Sequence, residues 1–131
     1  MPFINIATSQ GTLSASQKQQ LFNQTTRLMS EVMHKNPTLT SIRIDEYPAT
    51  NWAVDQQSMQ ARNQTAVHMD IKVTAGTNTD QEKAEMISQG MSMLKGVIGN
   101  IPEASYIVIH EIDAEAWGYG GQTQAARAQK K

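Results

Sequence analysis

The feature that most constrains the fold is an internal repeat, which appears without gaps when the chain is compared with itself at an offset of 65 residues. Sixteen positions are identical: Ile6/Ile71, Gly11/Gly76, Thr12/Thr77, Lys18/Lys83, Gln24/Gln89, Val32/Val97, Pro37/Pro102, Ile42/Ile107, Ile44/Ile109, Glu46/Glu111, Ala49/Ala114, Trp52/Trp117, Gln57/Gln122, Ala61/Ala126, Arg62/Arg127 and Gln64/Gln129. Ordinary residue frequencies would give roughly four matches by chance. Self-similarity at a fixed period indicates one supersecondary unit used twice. We therefore predict a single domain, residues 1–131, built from repeats 2–66 and 67–131.

Each copy has the pattern of a strand, a helix and a second strand. Alternating residues rich in Ile and Val predict strands over 2–8 and 41–47, and over 66–74 and 106–112. A parallel pair of strands joined by a helix has a right-handed crossover. The predicted fold class is α+β, with two β-α-β repeats forming a four-stranded mixed sheet and both helices on one face. Apolar residues on both sides of 107–109 lead us to expect that further copies of the chain cover the other face.

Capping patterns and helical periodicity support the two helices. Ser14 with Gln17, and Thr79 with Glu82, have the spacing of capping boxes. Apolar residues then recur at helical spacing: Leu21, Phe22, Leu28, Met29, Val32 and Met33 in the first copy, and Met86, Ile87, Leu94, Val97 and Ile98 in the second. We assign the methionines among them to the core, because the flexible thioether fills irregular gaps.

Composition excludes several classes of function. The chain is 39% hydrophobic and 18% charged with a net charge of −1, so we expect a globular protein that binds neither nucleic acid nor an anionic membrane. It has no cysteine, and His34, His68 and His110 lack the spacing of metal motifs, so we predict no metal site. No apolar run approaches the roughly 20 residues of a membrane span. The N-terminus has no signal-peptide pattern, so the expected location is cytoplasmic.

A set of motifs in fixed order resembles 4-oxalocrotonate tautomerase. The motifs are Pro2 directly after Met1, segment 14–18 after Gly11, the second-strand stretch 37–46, and the Gly-rich hairpin 116–121 with its aromatic residue. The resemblance covers the whole chain, twice, and a fused two-unit chain is also similar to macrophage migration inhibitory factor and malonate semialdehyde decarboxylase. It implies a tautomerase-superfamily fold, a homotrimer, and an isomerase that needs no cofactor.

The resemblance also implies a catalytic role for Pro2. Met1 is expected to be removed because the second residue is small, which leaves Pro2 as a secondary amine. An α-amino group has a pKa of about 7.7–8.0, and apolar surroundings or nearby cations lower it. A base with a pKa near neutral suits proton transfer at working pH. The implied reaction interconverts the enol and keto forms of a small α-keto acid substrate.

Arginine positions bear on the substrate that the resemblance implies. Relatives of 4-oxalocrotonate tautomerase bind a carboxylate with two arginines, and Arg43 matches the one on the second strand. Thr12 and Thr77 stand where the other arginine is expected. In fused relatives a neighbouring chain's second strand helps to complete the proline pocket. Arg43 would then lie at the second site, where Val67 replaces proline.

Three further residues are candidates for the substrate pocket. Lys35 falls near the pocket lysine of migration inhibitory factor-like proteins, although a cation at a helix C-terminus is an equal alternative. Tyr106 matches a pocket tyrosine of the same subgroup, with a half-buried strand residue as the alternative. Trp117 is expected to form a wall beside Pro2, or else to anchor the core or an interface.

Two other functions stay open at the level of sequence. An N-terminal proline also serves decarboxylases and dehalogenases of this superfamily. Their extra arginine pairs and acidic residues are not at the usual positions in this chain. The other possibility is a catalytically silent trimeric binding protein. A retained Met1 and the missing pocket arginine would both favour this second alternative.

Overall fold

The computed structural model describes residues 2–129. The strands are β1 (Phe3–Thr8), β2 (Ser41–Glu46), β3 (Ala53–Val54), β4 (Gln57–Ser58), β5 (Val67–Thr74), β6 (Tyr106–Ile112), β7 (Gly118–Tyr119) and β8 (Gln122–Thr123). The helices are α1 (Ala15–Glu31), α2 (Met59–Arg62), α3 (Asp80–Ile98) and α4 (Gln124–Ala128), with 3-10 turns at Pro37–Leu39 and Ala49–Asn51. None of the helices in this described range is long and apolar enough to cross a bilayer.

The main sheet has the predicted mixed topology, with strand order β2-β1-β5-β6. β1 is parallel to β2 and β5 is parallel to β6, while β1 and β5 are antiparallel. The long helices α1 and α3 pack together over one face, which confirms the predicted fold class. Most strand boundaries lie within one residue of the prediction. The short β3–β4 hairpin was not predicted.

The two copies are related by an approximate two-fold axis through the middle of the sheet. Asn5 of β1 lies opposite Asp70 of β5, and these two residues are the same position in the two copies. The sheet therefore has two equivalent ends. The "Pro2 end" carries the start of β1 and the end of β5, and the "Val67 end" carries the start of β5 and the end of β1.

Both helices begin at the predicted capping boxes. The hydroxyl of Ser14 accepts a hydrogen bond from the backbone N–H of Gln17, whose side chain accepts one from the backbone of Ser14. Thr79 and Glu82 make the same exchange at α3. These contacts satisfy N–H groups that a helix leaves unpaired at its start.

The core between helices and sheet is rich in methionine, as predicted. The methionines with no exposed surface are Met29, Met33, Met59, Met69 and Met86. The prediction that Ile87 belongs to the same apolar set was wrong, because its side chain is 42% exposed. Ile87 follows Met86 by one residue, which turns it about 100° around the helix and away from the core.

Two of the identical repeat positions form one ion pair in each copy. Lys18 of α1 contacts Glu46 at 2.8 Å, and Lys83 of α3 contacts Glu111 at 2.9 Å. Glu46 also accepts a hydrogen bond from the backbone of Leu13. The bonds from Lys18 and Leu13 lower the pKa of Glu46 below its usual value. Each pair joins the first turns of a helix to the end of the second strand of its copy. Glu46 is the last residue of β2, and Glu111 is the last but one of β6.

The face of the sheet away from the helices, the "open face", is more polar than expected. Val108 points to it, but its neighbours Ile107 and Ile109 pack towards the helices. The polar residues on this face include Asn5, Arg43, Asp45, His68, Asp70, Lys72 and His110. The apolar residues on which the expectation of a covered face was based are therefore confined to part of β6, and the covering of this face by other copies stays a prediction.

Candidate functional site

Pro2 lies at the start of β1 and is buried. Its carbonyl accepts a hydrogen bond from the backbone N–H of Ser41, with a donor–acceptor distance of 3.4 Å. Because Phe3 pairs with Lys72, Pro2 comes level with Val73 near the end of β5. Met1 lies outside the residues that the structure describes, so its removal stays a prediction.

Lys35 reaches the same end of the sheet from the C-terminus of α1. His34 adopts a left-handed conformation with φ of 59°, which turns the chain after the helix. The backbone N–H of Lys35 then donates to the carbonyl of Met29 at 2.9 Å. Its ammonium Nζ donates to Oγ1 of Thr77, also at 2.9 Å, and that hydroxyl donates to the carbonyl of Thr74 at 2.6 Å. A chain of hydrogen bonds thus links α1 to the end of β5.

The environment of Lys35 disfavours its charged form. Burial lowers the pKa of the Lys35 amine, and the nearby carboxylate of Glu82 opposes that effect only in part. A half-buried ammonium of this kind gains stabilisation when an anion binds beside it. The position is therefore suited to hold a carboxylate at the Pro2 end.

Trp117 also lies at this end, between β6 and β7. Its indole Nε1 donates to Oγ1 of Thr74 at 3.2 Å, which fixes the half-buried ring against the last residue of β5. Its carbonyl accepts from the backbone of Gln124 at 2.9 Å, so the hairpin and α4 hold it from the other side. A shallow cavity of about 360 Å³ runs along Trp117 and the hairpin that follows it.

The Val67 end provides an internal comparison. Val67 takes the place of Pro2, and its backbone N–H donates to the hydroxyl of Ser105. Asn100 takes the place of Lys35, and its side-chain amide donates to the carbonyl of Asn63 at 3.3 Å. The two ends share their backbone plan, but at these two equivalent positions the Pro2 end has a proline and a lysine where the Val67 end has a valine and an asparagine.

Arg43 lies on the open face beside Asn5, towards the Pro2 end. Its Nε donates to Oδ1 of Asn5 at 2.7 Å, and its guanidinium carbon is 5.4 Å from the centroid of the Phe3 ring. The ammonium of Lys72 is 5.7 Å from the same centroid. Arg43 and Lys72 line a cavity of about 220 Å³ on this face. In the single chain, Arg43 does not lie beside Val67.

Tyr106 begins β6 at the Val67 end and is 61% exposed. Its ring lies 6.3 Å from that of His68, centroid to centroid. Within one chain, the structure brings Pro2, Lys35 and Trp117 to one end of the sheet and places Tyr106 at the other. Only a neighbouring chain would bring Tyr106 to Pro2.

Sequence reasoning missed a cluster of side chains on the open face. Oδ1 of Asp70 contacts Nε2 of His110 at 2.7 Å and Nε2 of His68 at 3.1 Å. The sequence treats the two histidines as isolated, because they lie far apart along the chain. Only the register of β5 and β6, with Lys72 opposite His110, places them on either side of Asp70.

Comparisons with known proteins identify one family. The family described as "Tautomerase enzyme" matches residues 2–62 and again residues 68–127. A relative from Dickeya dadantii (strain 3937), named "Probable tautomerase K2", is 38% identical over 66 residues, which cover 50% of this chain and 98% of the relative.

Solved structures show the same fold at low sequence identity. The native fused 4-OT superposes with a TM-score of 0.85 at 19% identity, covering 96% of this chain and 98% of that one. The macrophage migration inhibitory factor-like protein from Entamoeba histolytica gives a TM-score of 0.71 at 17% identity, covering 93% of this chain and 97% of that one. A fused 4-OT described as an asymmetric trimer gives 0.83 at 20% identity, covering 95% and 98%.

Proposed function

This chain belongs to the tautomerase family, and we propose that it is a keto–enol isomerase whose general base is the amine of Pro2 after removal of Met1. The substrate is a small enol or α-keto acid, and the reaction needs no cofactor. The proposal joins the activity of the family to the arrangement of residues at the Pro2 end.

The observation that carries the proposal is the difference between the two ends of a nearly symmetric sheet. A duplicated unit would place equivalent residues at both ends, yet Pro2 and Lys35 are replaced by Val67 and Asn100 at the other end. Both replacements remove a nitrogen that is able to carry charge, and both fall at the same end. The Pro2 end therefore keeps the groups that acid–base chemistry on an anion requires.

The chemistry follows from three groups. The uncharged amine of Pro2 takes the proton of the enol hydroxyl and returns a proton to the adjacent carbon, so one O–H bond breaks and one C–H bond forms. Lys35 holds the substrate carboxylate and favours the negative charge that develops on oxygen. Trp117 supplies an apolar wall that excludes water, which strengthens both electrostatic effects.

We also propose that the protein acts as a homotrimer. One fused 4-OT with the same fold is described as an asymmetric trimer. In this chain, Tyr106 is exposed at the end opposite Pro2, and Arg43 is exposed on the open face. In a trimer, a neighbouring chain's second strand brings such residues to another subunit's site, with Tyr106 beside Pro2 and Arg43 beside Val67.

The function is tested by the ketonisation of phenylenolpyruvate, a simple enol with one carboxylate. Intact mass first shows whether Met1 has been removed. We expect Pro2→Ala to lower kcat/KM by about 10²–10⁴-fold, the usual contribution of a positioned general base. The matched control is Val67→Ala, which changes the equivalent position at the other end and should keep kcat/KM within about threefold of wild type.

Two outcomes would contradict the proposal. One is a processed wild-type protein that does not catalyse ketonisation, which would favour decarboxylation, dehalogenation or a silent binding role. The other is a Pro2→Ala variant as active as Val67→Ala, which would show that the secondary amine of proline is not needed, since the variant keeps only the primary α-amine of alanine.

A further inference from the structure

The loop after β5 holds Lys35 in place by contacts that extend well beyond the single hydrogen bond to Thr77. Asn78 donates from its side-chain amide to the carbonyl of Met33 at 2.9 Å and to Oε1 of Glu82 at 3.2 Å. The segment 77–78 is therefore bound both to the end of α1 and to the start of α3. The Thr77 hydroxyl is fixed in turn by its donation to the carbonyl of Thr74.

The ammonium of Lys35 does not behave like a lysine that only ends a helix. Such a lysine usually interacts with the last carbonyls of its own helix. Lys35 instead reaches across to the other copy, where its ammonium donates to the hydroxyl of Thr77, 42 residues away in the sequence. A lysine side chain has many rotamers, so a fixed acceptor determines where its charge is placed.

We propose that Thr77 is a positioning residue of the active site, whose hydroxyl accepts a hydrogen bond from Lys35 and fixes that ammonium at the Pro2 end to bind the substrate carboxylate. This proposal rests on the proposed function and adds a residue to it. Thr77 does not touch the reacting atoms, and its effect passes through Lys35. The substrate class that follows is a small acid whose carboxylate lies next to the enol.

The repeat provides a matched control for this proposal. Thr12 is the same residue at the equivalent position of the first copy, and it is exposed like Thr77. In that copy Asn100 stands in the place of Lys35, and its side chain makes hydrogen bonds with Asn63 and Gln64. A substitution at Thr12 therefore repeats the chemical change of a substitution at Thr77 without a lysine to release.

The experiment measures ketonisation of phenylenolpyruvate by the full-length processed protein and by three variants, Thr77→Val, Thr77→Ser and Thr12→Val. Valine keeps the shape of threonine but removes the acceptor. We expect Thr77→Val to raise KM about 3- to 10-fold with kcat within about twofold, because the net contribution of a typical intramolecular hydrogen bond lies in this range. Thr77→Ser should restore KM, and Thr12→Val should match wild type.

A second readout separates positioning from general loosening of the fold. The pKa of Lys35, followed by NMR at its ε-carbon, should fall further in Thr77→Val. The Thr77 hydroxyl favours the charged ammonium by accepting its hydrogen bond, and valine removes that acceptor. The other charged or titratable groups around this site are the Pro2 amine, His34 and Glu82, and none of them is changed. Thr12→Val should leave the titration of Lys35 where it is.

The outcomes distinguish this proposal from the one it rests on. If Pro2→Ala abolishes activity while Thr77→Val and Thr12→Val behave alike in KM and in the Lys35 titration, the role of Thr77 is wrong and the function stands. If Pro2→Ala is fully active, the proposed function fails, and the role assigned to Thr77 fails with it.

Discussion

At the scale of single residues, Asp70 shows how strand register creates an interaction that the sequence does not reveal. The pairing of β5 with β6 brings His110 to Asp70, which His68 also contacts. Burial opposes the ionisation of Asp70, but hydrogen bonds and positive charge from His110 and His68 outweigh it. The net effect is that the pKa of Asp70 lies below its ordinary value of 3.8. A lowered carboxyl pKa stabilises the folded protein above that ordinary value, and the stabilisation is lost as the pH falls through the folded-state pKa.

The prediction is that Asp70→Asn lowers stability at neutral pH and makes the acid transition shallower. We expect a loss of roughly 0.5–1 kcal/mol near pH 7, the range for a partly exposed ion pair. The difference from wild type should shrink as the pH falls below about 4. Urea unfolding between pH 3 and pH 7, at one protein concentration, measures this directly.

Asp55→Asn is the control for Asp70→Asn, since Asp55 is exposed in the turn between β3 and β4. It should follow the wild-type pH dependence. A constant difference between Asp70→Asn and wild type over the whole pH range would show that the histidine contacts do not depend on the charge of Asp70.

At the scale of elements, the two hairpins show the same turn built with different residues. Asp55 and Gln56 join β3 to β4 with φ values of 50° and 66°, and Gly120 and Gly121 join β7 to β8 with 60° and 81°. Both turns need two consecutive residues with positive φ, which glycine adopts without steric cost. The first-copy hairpin therefore carries backbone strain that the second-copy hairpin avoids.

The reciprocal substitutions Gln56→Gly and Gly121→Gln test this strain at equivalent positions. Gln56→Gly should stabilise the protein by about 0.5–1 kcal/mol, because relief of the left-handed conformation exceeds the extra entropy of glycine in the unfolded chain. Gly121→Gln should destabilise it by about 1 kcal/mol. A Cβ at Gly121 would meet no atom within 4 Å, so the effect is confined to the backbone.

The midpoint of urea unfolding, at a fixed protein concentration, measures both hairpin variants. Shifts of opposite sign support the account. Shifts of the same sign would mean that the side chains at these positions, and not the turn geometry, decide the stability of the hairpins.

Elements that depend on local chemistry were predictable from the sequence. Capping boxes at Ser14 and Thr79 and the Gly-rich turn at 120–121 are short-range patterns, and the structure confirms them. The contact from Lys35 to Thr77 was not predictable, because it depends on how the end of α1 meets a loop of the other copy. In the sequence, Thr77 appears as a repeated residue and as a position that lacks an arginine, and neither pattern indicates a contact with Lys35.

At the scale of the whole molecule, duplication provides a nearly symmetric scaffold whose two ends carry different residues at equivalent positions. The backbone, the capping boxes and the lysine–glutamate pairs are repeated. Pro2 and Lys35 are not repeated, since Val67 and Asn100 stand at the equivalent positions. The second end thus supplies, within the same chain, a reference against which each substitution at Pro2, Lys35 or Thr77 can be compared.

The central claim is that the nitrogen of Pro2 is a free amine whose pKa suits a base at working pH. Lys35 and the buried position of Pro2 should both lower that pKa below the 7.7–8.0 of an ordinary α-amino group. The chain has four prolines, and only an N-terminal one has a nitrogen that titrates.

The most direct test is an NMR titration of the processed protein with ¹⁵N-labelled proline. We predict one titrating proline nitrogen, with a midpoint below about 7.7 that matches the acid limb of the kcat/KM profile. A spectrum with no titrating proline nitrogen, or a midpoint at or above about 8.0, would contradict the account.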